Sequence, residues 1–345
     1  MDKTELNQDE PVILQRREKQ RFWLRWKGKK YGPWDKLDRS IDFSPDKKHW
    51  AVRGKLHGRY YVLVDGTRYG PFDGYVEGPE FDEERGVFVF AAMRGSEFLL
   101  VAGGKVVRRG RIVEKPGEGD YVCVGKDRHG PYYSVWSAQF SLQGGRWAAI
   151  TSRDGERRGF YLLLDGREFG PFIELEPRGK FSPTGSLFLC RELFGDDSCT
   201  LQYIVINGER VYGPCEAPYI HFFSPDGKRW MVHAKRGAFE GLVVDGREYG
   251  NYPFPKFIFD FSPDSRRWCA LIGKGKKDMI VIDGKEYGTY ELKAPDFTGD
   301  SRFVAYFRRG MPAGSFSTAA RSAPIAIKAG SASMSMMPSW PTWFS

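Results

Sequence analysis

The chain has no apolar run approaching the roughly 18 residues that a membrane-spanning helix requires. It has no three-residue glycine period either, so its 41 glycines and 21 prolines are not those of a collagen. Nor is it poor in aromatics: at 15% they exclude a disordered chain. The first 20 residues hold one short apolar patch, Pro11–Leu14, and not the apolar core of about 7–15 residues found in a secretory leader. A cytoplasmic protein is expected. The five cysteines (Cys123, Cys190, Cys199, Cys215, Cys269) are odd in number and irregularly spaced, with no C-x-x-C pair. Reduced, mostly buried thiols are therefore expected. No H-E-x-x-H or H-x-x-x-H group joins the five histidines, and no metal site is expected. The G-x-S-x-G elbow, the phosphate loop and the dinucleotide fingerprint are all missing. No cofactor is expected.

What the sequence has in abundance is repetition, the feature to seek first in a chain of 345 residues. One half-unit, FSPDKKHW at Phe43–Trp50, returns from Phe140, Phe181, Phe223 and Phe261, with weaker copies from Phe81 and Phe297. The other, YYVLVDGTRYGPF at Tyr60–Phe72, returns from Phe160, Tyr203, Gly241 and Met279. Ser-Pro-Asp-Gly combines a preset φ with residues that tolerate a left-handed backbone, which is turn chemistry. An apolar run ending in Asp-Gly or Asn-Gly and followed by a charged residue is a two-residue hairpin. The hairpin glycine recurs at Gly28, Gly66, Gly104, Gly166, Gly208, Gly246 and Gly284, at intervals of 38, 38, 62, 42, 38 and 38.

Each unit thus reads as four short antiparallel strands at a period near 40 residues, the pattern of a β-propeller blade. Such a sheet cannot bury both faces alone and must stack. The chain opens on a second half-unit, Phe22–Trp34, and ends its repeats on a first half-unit, Phe297–Gly310. The expectation is an all-β propeller of seven blades, its first and last half-units sharing one blade. Residues 111–139 lack a Phe-Ser-Pro half and read as an inserted hairpin or as a degenerate eighth blade. The segments expected are a flexible stretch 1–20, a propeller 21–310 and a low-complexity tail 311–345.

The recurrent FSPDGKRW followed by an apolar strand resembles the WD40-like, TolB-type repeats of bacterial propellers. That resemblance covers about residues 21–310 and implies a fold, because such propellers serve as gates, scaffolds and binding platforms. TolB itself is periplasmic with an added domain, and its envelope role is not carried over. The sialidase Asp-box, S-x-D-x-G-x-x-W, is one residue longer than Ser224–Trp230 and is set aside.

The repeated carboxylates Asp65, Asp165, Asp245 and Asp283 and the repeated Trp50, Trp147, Trp230 and Trp268 occupy equivalent positions, so structural roles are expected for both sets. Function is sought where the repeat breaks. Net charge is +9, and two segments exceed it: 16–30 carries a net +7 and 105–115 a net +4. Elsewhere the basic loops after second strands face acidic ones before first strands, and their charges cancel. Arg16, Arg17, Arg108, Arg109 and Arg111 are therefore the candidate contacts for an anionic partner. The functional expectation is a monomeric, non-catalytic scaffold for a protein or peptide partner. The alternatives are an enzyme built from non-equivalent loops and a weak binder of an acidic polymer.

Overall fold

The computed structural model describes residues 12–16, 21–38, 41–74, 76–155, 159–176, 179–196, 199–250, 258–274, 277–290, 292–297, 303–307 and 325–327. It has two compact units, one within residues 1–149 and one within 150–332.

In the first unit, β1 (Val12–Arg16), β2 (Arg21–Trp26) and β3 (Lys29–Trp34) form a three-stranded sheet. Next, β4 (Lys36–Leu37) and β5 (Asp42–Phe43) both pair with β6 (Trp50–Leu56), which is followed by β7 (Arg59–Val64) and β8 (Thr67–Phe72). A six-stranded sheet then runs in chain order through β9 (Glu77–Asp82), β10 (Val87–Arg94), β11 (Glu97–Ala102), β12 (Lys105–Lys115), β13 (Gly119–Val124) and β14 (Asp127–Tyr132). The division between units falls inside β16 (Trp147–Ser152), which follows β15 (Ser134–Phe140) and precedes β17 (Phe160–Leu164) and β18 (Arg167–Phe172).

The second unit continues with β19 (Glu174–Leu175), β20 (Lys180–Phe181), β21 (Phe188–Asp196) and β22 (Cys199–Ile206). The 15-residue β23 (Glu209–Phe223) pairs with β22 at one end and with β24 (Trp230–Arg236) at the other, ahead of β25 (Phe239–Val244) and β26 (Arg247–Tyr249). A four-stranded sheet follows: β27 (Ile258–Phe261), β28 (Trp268–Lys274), β29 (Lys277–Ile282) and β30 (Lys285–Tyr290). Last come β31 (Leu292–Phe297), β32 (Phe303–Phe307) and β33 (Ile325–Ile327).

The hairpins have the geometry their sequences call for. Asp65, Asp165, Asn207, Asp245 and Asp283 all have φ near 50°, and the glycine after each is also left-handed, as a type I′ turn demands. Gly66 meets a second constraint: an added Cβ would lie 2.7 Å from the Tyr31 ring of the preceding sheet. The Tyr-Gly-Pro of the fourth strand is a bulge. Pairing of β7 with β8 shifts register between Tyr60 and Val62 opposite Gly70, whose φ is 128°.

Sheets consecutive in the chain bury their faces against each other. Leu24, Trp26 and Trp34 of the first sheet join Trp50, Val52 and Leu63 of the second in one cluster. Met231, Leu242 and Val244 likewise meet Phe259, Trp268, Ala270 and Val281. The repeated tryptophans serve this stacking: Trp50 lies 5.3 Å from the Tyr31 ring and Trp268 lies 5.0 Å from Tyr249, and Trp50, Trp147, Trp230 and Trp268 are all buried.

Two expectations about the ends and the irregular segment need restating. Among the described residues the shared blade is not formed. The edge of β2 is taken by β1, antiparallel from Val12↔Arg25 to Arg16↔Arg21, and β32 pairs with β31 and, in parallel, with β33. Thus β1, from the stretch expected to be flexible, occupies a second-strand position. The physical reason is loop closure: β1 lies immediately upstream of its partner, whereas the C-terminal half-unit is most of the chain away. The rest of the stretches 1–20 and 311–345 lies outside the described residues. Residues 111–139 make no sheet of their own. The first half of β12 pairs with β11 and the second half with β13, so the extra hairpin extends the sheet that precedes it.

Candidate functional site

The repeated carboxylates are consumed by the fold. Asp65, Asp245 and Asp283 each accept, at 2.9 Å, the backbone N–H of the tryptophan that opens the second strand (Trp50, Trp230 and Trp268). Asn207 does the same for Phe188. The second oxygens take His49, Arg229 and Arg267. Each hairpin thereby holds the start of the strand that pairs with its own first strand. In the Ser-Pro-Asp turns, Ser44 donates to Asp46 and Ser224 to Asp226, both at 2.6 Å, which holds both carboxyls below the ordinary range, Asp46 at about 2.

The opposite ends of the sheets carry the mixed charge expected of them. Arg21 pairs with Asp35, Arg59 with Asp73, and Arg53 with Asp38 at 2.7 Å. In the second unit Arg191 grips Glu176 at 2.6 Å, and Lys235 meets Glu216 at 2.8 Å. Arg53 also donates to the Val76 carbonyl at 2.6 Å. Crowding by protein raises the Asp42 carboxyl to about 6; Arg53 opposes the shift and Asp38 adds to it. The Asp42 side chain still reaches solvent, and that screening limits what the shift contributes to stability. Glu192, wholly buried, accepts from Arg210 and from the backbone N–H of Ile173. Burial, with Glu176 and Glu192 nearby, pushes the Cys190 thiol up and keeps it protonated. Cys190, Cys215 and Cys269 are buried free thiols and Cys123 is half-buried.

The candidate arginines are not one patch. Arg109 and Arg111 share a face of β12 and converge on Glu97, at 3.1 and 3.2 Å. These contacts, Arg111 foremost, hold the Glu97 carboxyl below the ordinary range. Arg108 sits on the opposite face of the same strand, its guanidinium 4.6 Å from the Phe140 ring and bonded to the Gly144 carbonyl. Of Arg16 the backbone alone is described, opposite Arg21, and Arg17 lies outside the described residues.

Two features of the first unit carry no motif. The first is a half-open cavity of about 250 Å³ between the β9–β10 turn and Leu142–Gln143, with Glu80, Phe81 and Asp82 in its wall. The second is apolar exposure. Among the described residues six large hydrophobics are exposed, and four of them, Val106, Val107, Tyr133 and Trp136, lie in 105–139. The linear signal for these four was the loss of the repeat itself.

No family model matches the chain, and no curated protein matches it. Several solved structures resemble it at low identity. The β-propeller domain of Cps50 (Swd1) from Myceliophteria thermophila is 12% identical, covering 76% of this chain and 93% of its own, with a TM-score of 0.38. The putative TolB from Agrobacterium tumefaciens is 13% identical over 66% of this chain and 83% of its own, with a TM-score of 0.33. The dihydro-heme d1 dehydrogenase NirN is 11% identical over 87% and 68%, with a TM-score of 0.41. Both enzymes and non-enzymes thus stand among these neighbours. The recurring Phe-Ser-Pro-Asp-Gly unit, the antiparallel four-stranded sheets and their stacking on one another within each unit are those of a β-propeller fold.

Proposed function

We propose that this chain is a non-catalytic β-propeller that takes a protein or peptide partner where its repeat breaks. One observation carries this reading. Tyr133, on the connection that follows the extra hairpin, is 63% exposed, and Trp136, in β15 just after it, is 45% exposed. At the position of Tyr133 the opening half-unit and the complete unit after it place Asp35 and Asp73, each paired with an arginine. Two earlier repeats use a carboxylate at this position and the next an exposed isoleucine, Ile173, so the residue here is not dictated by the turn, and tyrosine and tryptophan are the side chains that anchor interfaces.

The test begins with peptides selected from a random display library on the full chain. Tyr133→Ala with Trp136→Ala should then weaken their binding about 30-fold or more, the equivalent of one anchor of about 2 kcal/mol. Melting should stay close to that of the parent, because both side chains are exposed. Selected peptides that bind parent and variant equally would remove this surface from the proposal.

A further inference from the structure

In β2 and β3, Arg25 stands directly opposite Lys30 in the antiparallel register, so both side chains project from the same face of the sheet. Both are exposed. Among the described residues no carboxylate pairs with either, nor with Lys27 and Lys29 at the hairpin tip. Two cations facing each other across a ladder destabilise it. Other repeats avoid this arrangement. The same cross-strand position holds Leu63 with Arg68, Leu163 with Glu168, Val205 with Arg210 and Val281 with Glu286. The third-strand member is apolar in each of these, and Leu63 is buried against the preceding sheet. In the first sheet an arginine takes its place.

Two of the four cations are set down on aromatic rings. Lys30 Nζ lies 4.6 Å from the Trp23 ring and Lys27 Nζ 5.4 Å from Trp26. We infer that this hairpin is an anion-binding edge that takes the phosphodiester backbone of a single-stranded nucleic acid. A phosphate lying between Arg25 and Lys30 removes their repulsion. The alternation of exposed cations with a half-buried tryptophan is the composition that tracks such a strand without reading its sequence. The edge is separate from Tyr133 and Trp136, so either proposal can fail without the other.

The test is fluorescence anisotropy of the full chain with a labelled oligothymidylate of about 20 nucleotides, long enough to cover one such edge. Four phosphate contacts predict a salt slope of about −2.8, a loss of about 50-fold between roughly 50 and 200 mM salt. Arg25→Leu with Lys30→Leu should weaken binding at least tenfold while the melting temperature rises, because the repulsion is gone. Arg109→Leu with Arg111→Leu, two arginines already engaged by Glu97, should bind like the parent. Three results each overturn the inference: no binding by the parent at the lower salt, equal binding by the Arg25/Lys30 variant, or displacement by polyglutamate at equal charge. The last would assign the edge to an acidic protein.

Discussion

The two basic segments look alike in sequence and are opposite in structure. In 105–115 the strand pleat sends Arg108 to one face and Arg109 and Arg111 to the other, where Glu97 of the neighbouring strand meets both. In 16–30 the register places Arg25 against Lys30, and no described carboxylate answers them. What separates a partly paired segment from an unpaired charged edge is thus the cross-strand neighbour, which a count along the chain does not contain. Strand alternation divides a run of like charges between two environments, and the partner strand decides the fate of each half.

The largest effect that would sharpen this comparison comes from copying the first hairpin into the second. Leu63→Lys would set a cation opposite Arg68 as in the first sheet, but inside the cluster that joins the two sheets. The expected loss is about 3 kcal/mol, from burying an uncompensated charge, read as a fall in the denaturation midpoint. A neutral result would mean that the position is not buried between sheets. A middling effect belongs to Arg108→Ala. Removing the bond to the Gly144 carbonyl and the contact with Phe140 should cost about 1–2 kcal/mol and leave polyanion retention untouched, since that guanidinium is already engaged. Altered retention would return Arg108 to the list of partner contacts.

The smallest effect concerns pH. The Glu97 carboxyl sits below its ordinary value in the folded chain, so its stabilising contribution is present above about pH 4.3 and is lost as pH falls through the folded value. Acidification through that window should release Arg109 and Arg111 and strengthen retention on a sulfated column. Glu97→Gln should show the stronger retention already at neutral pH and lose this pH dependence. If the parent and Glu97→Gln titrate alike, Glu97 is not what restrains Arg109 and Arg111.

Much of the fold was legible because its determinants are local. Asp-Gly and Asn-Gly specify positive φ within two residues, and Asp65, Asn207 and Asp245 obey. The recurrent Trp50 and Trp268 announce a buried position through their period, and both are buried. Charge cancellation at one end of the sheets could also be read from loop composition, and Arg53–Asp38 and Lys235–Glu216 realise it. What escaped depends on pairing. Nothing in VILQR states that it outcompetes a distant half-unit for the edge of β2. Nothing in 105–115 states that β12 serves two neighbours, or that Glu97 sits between two of its arginines. The capping role of Asp65 went unread for the same reason, since its partner, the Trp50 amide, is 15 residues away.

The Gly-Pro bulge of the fourth strand has a consequence for how such molecules live together in solution. Each of these strands is the last in its repeat, with a row of backbone groups turned outward, and a straight row of that kind is a template for a neighbour's strand. Proline at 33, 71, 131 and 171 deletes one donor from the row, and the register shift beside it bends the remainder out of line. A chain assembled almost wholly from strands therefore carries, at the rim of repeat after repeat, a built-in refusal to crystallise onto its own copies as fibre. Tyr-Gly-Pro recurs as much to keep molecules apart as to hold one of them together.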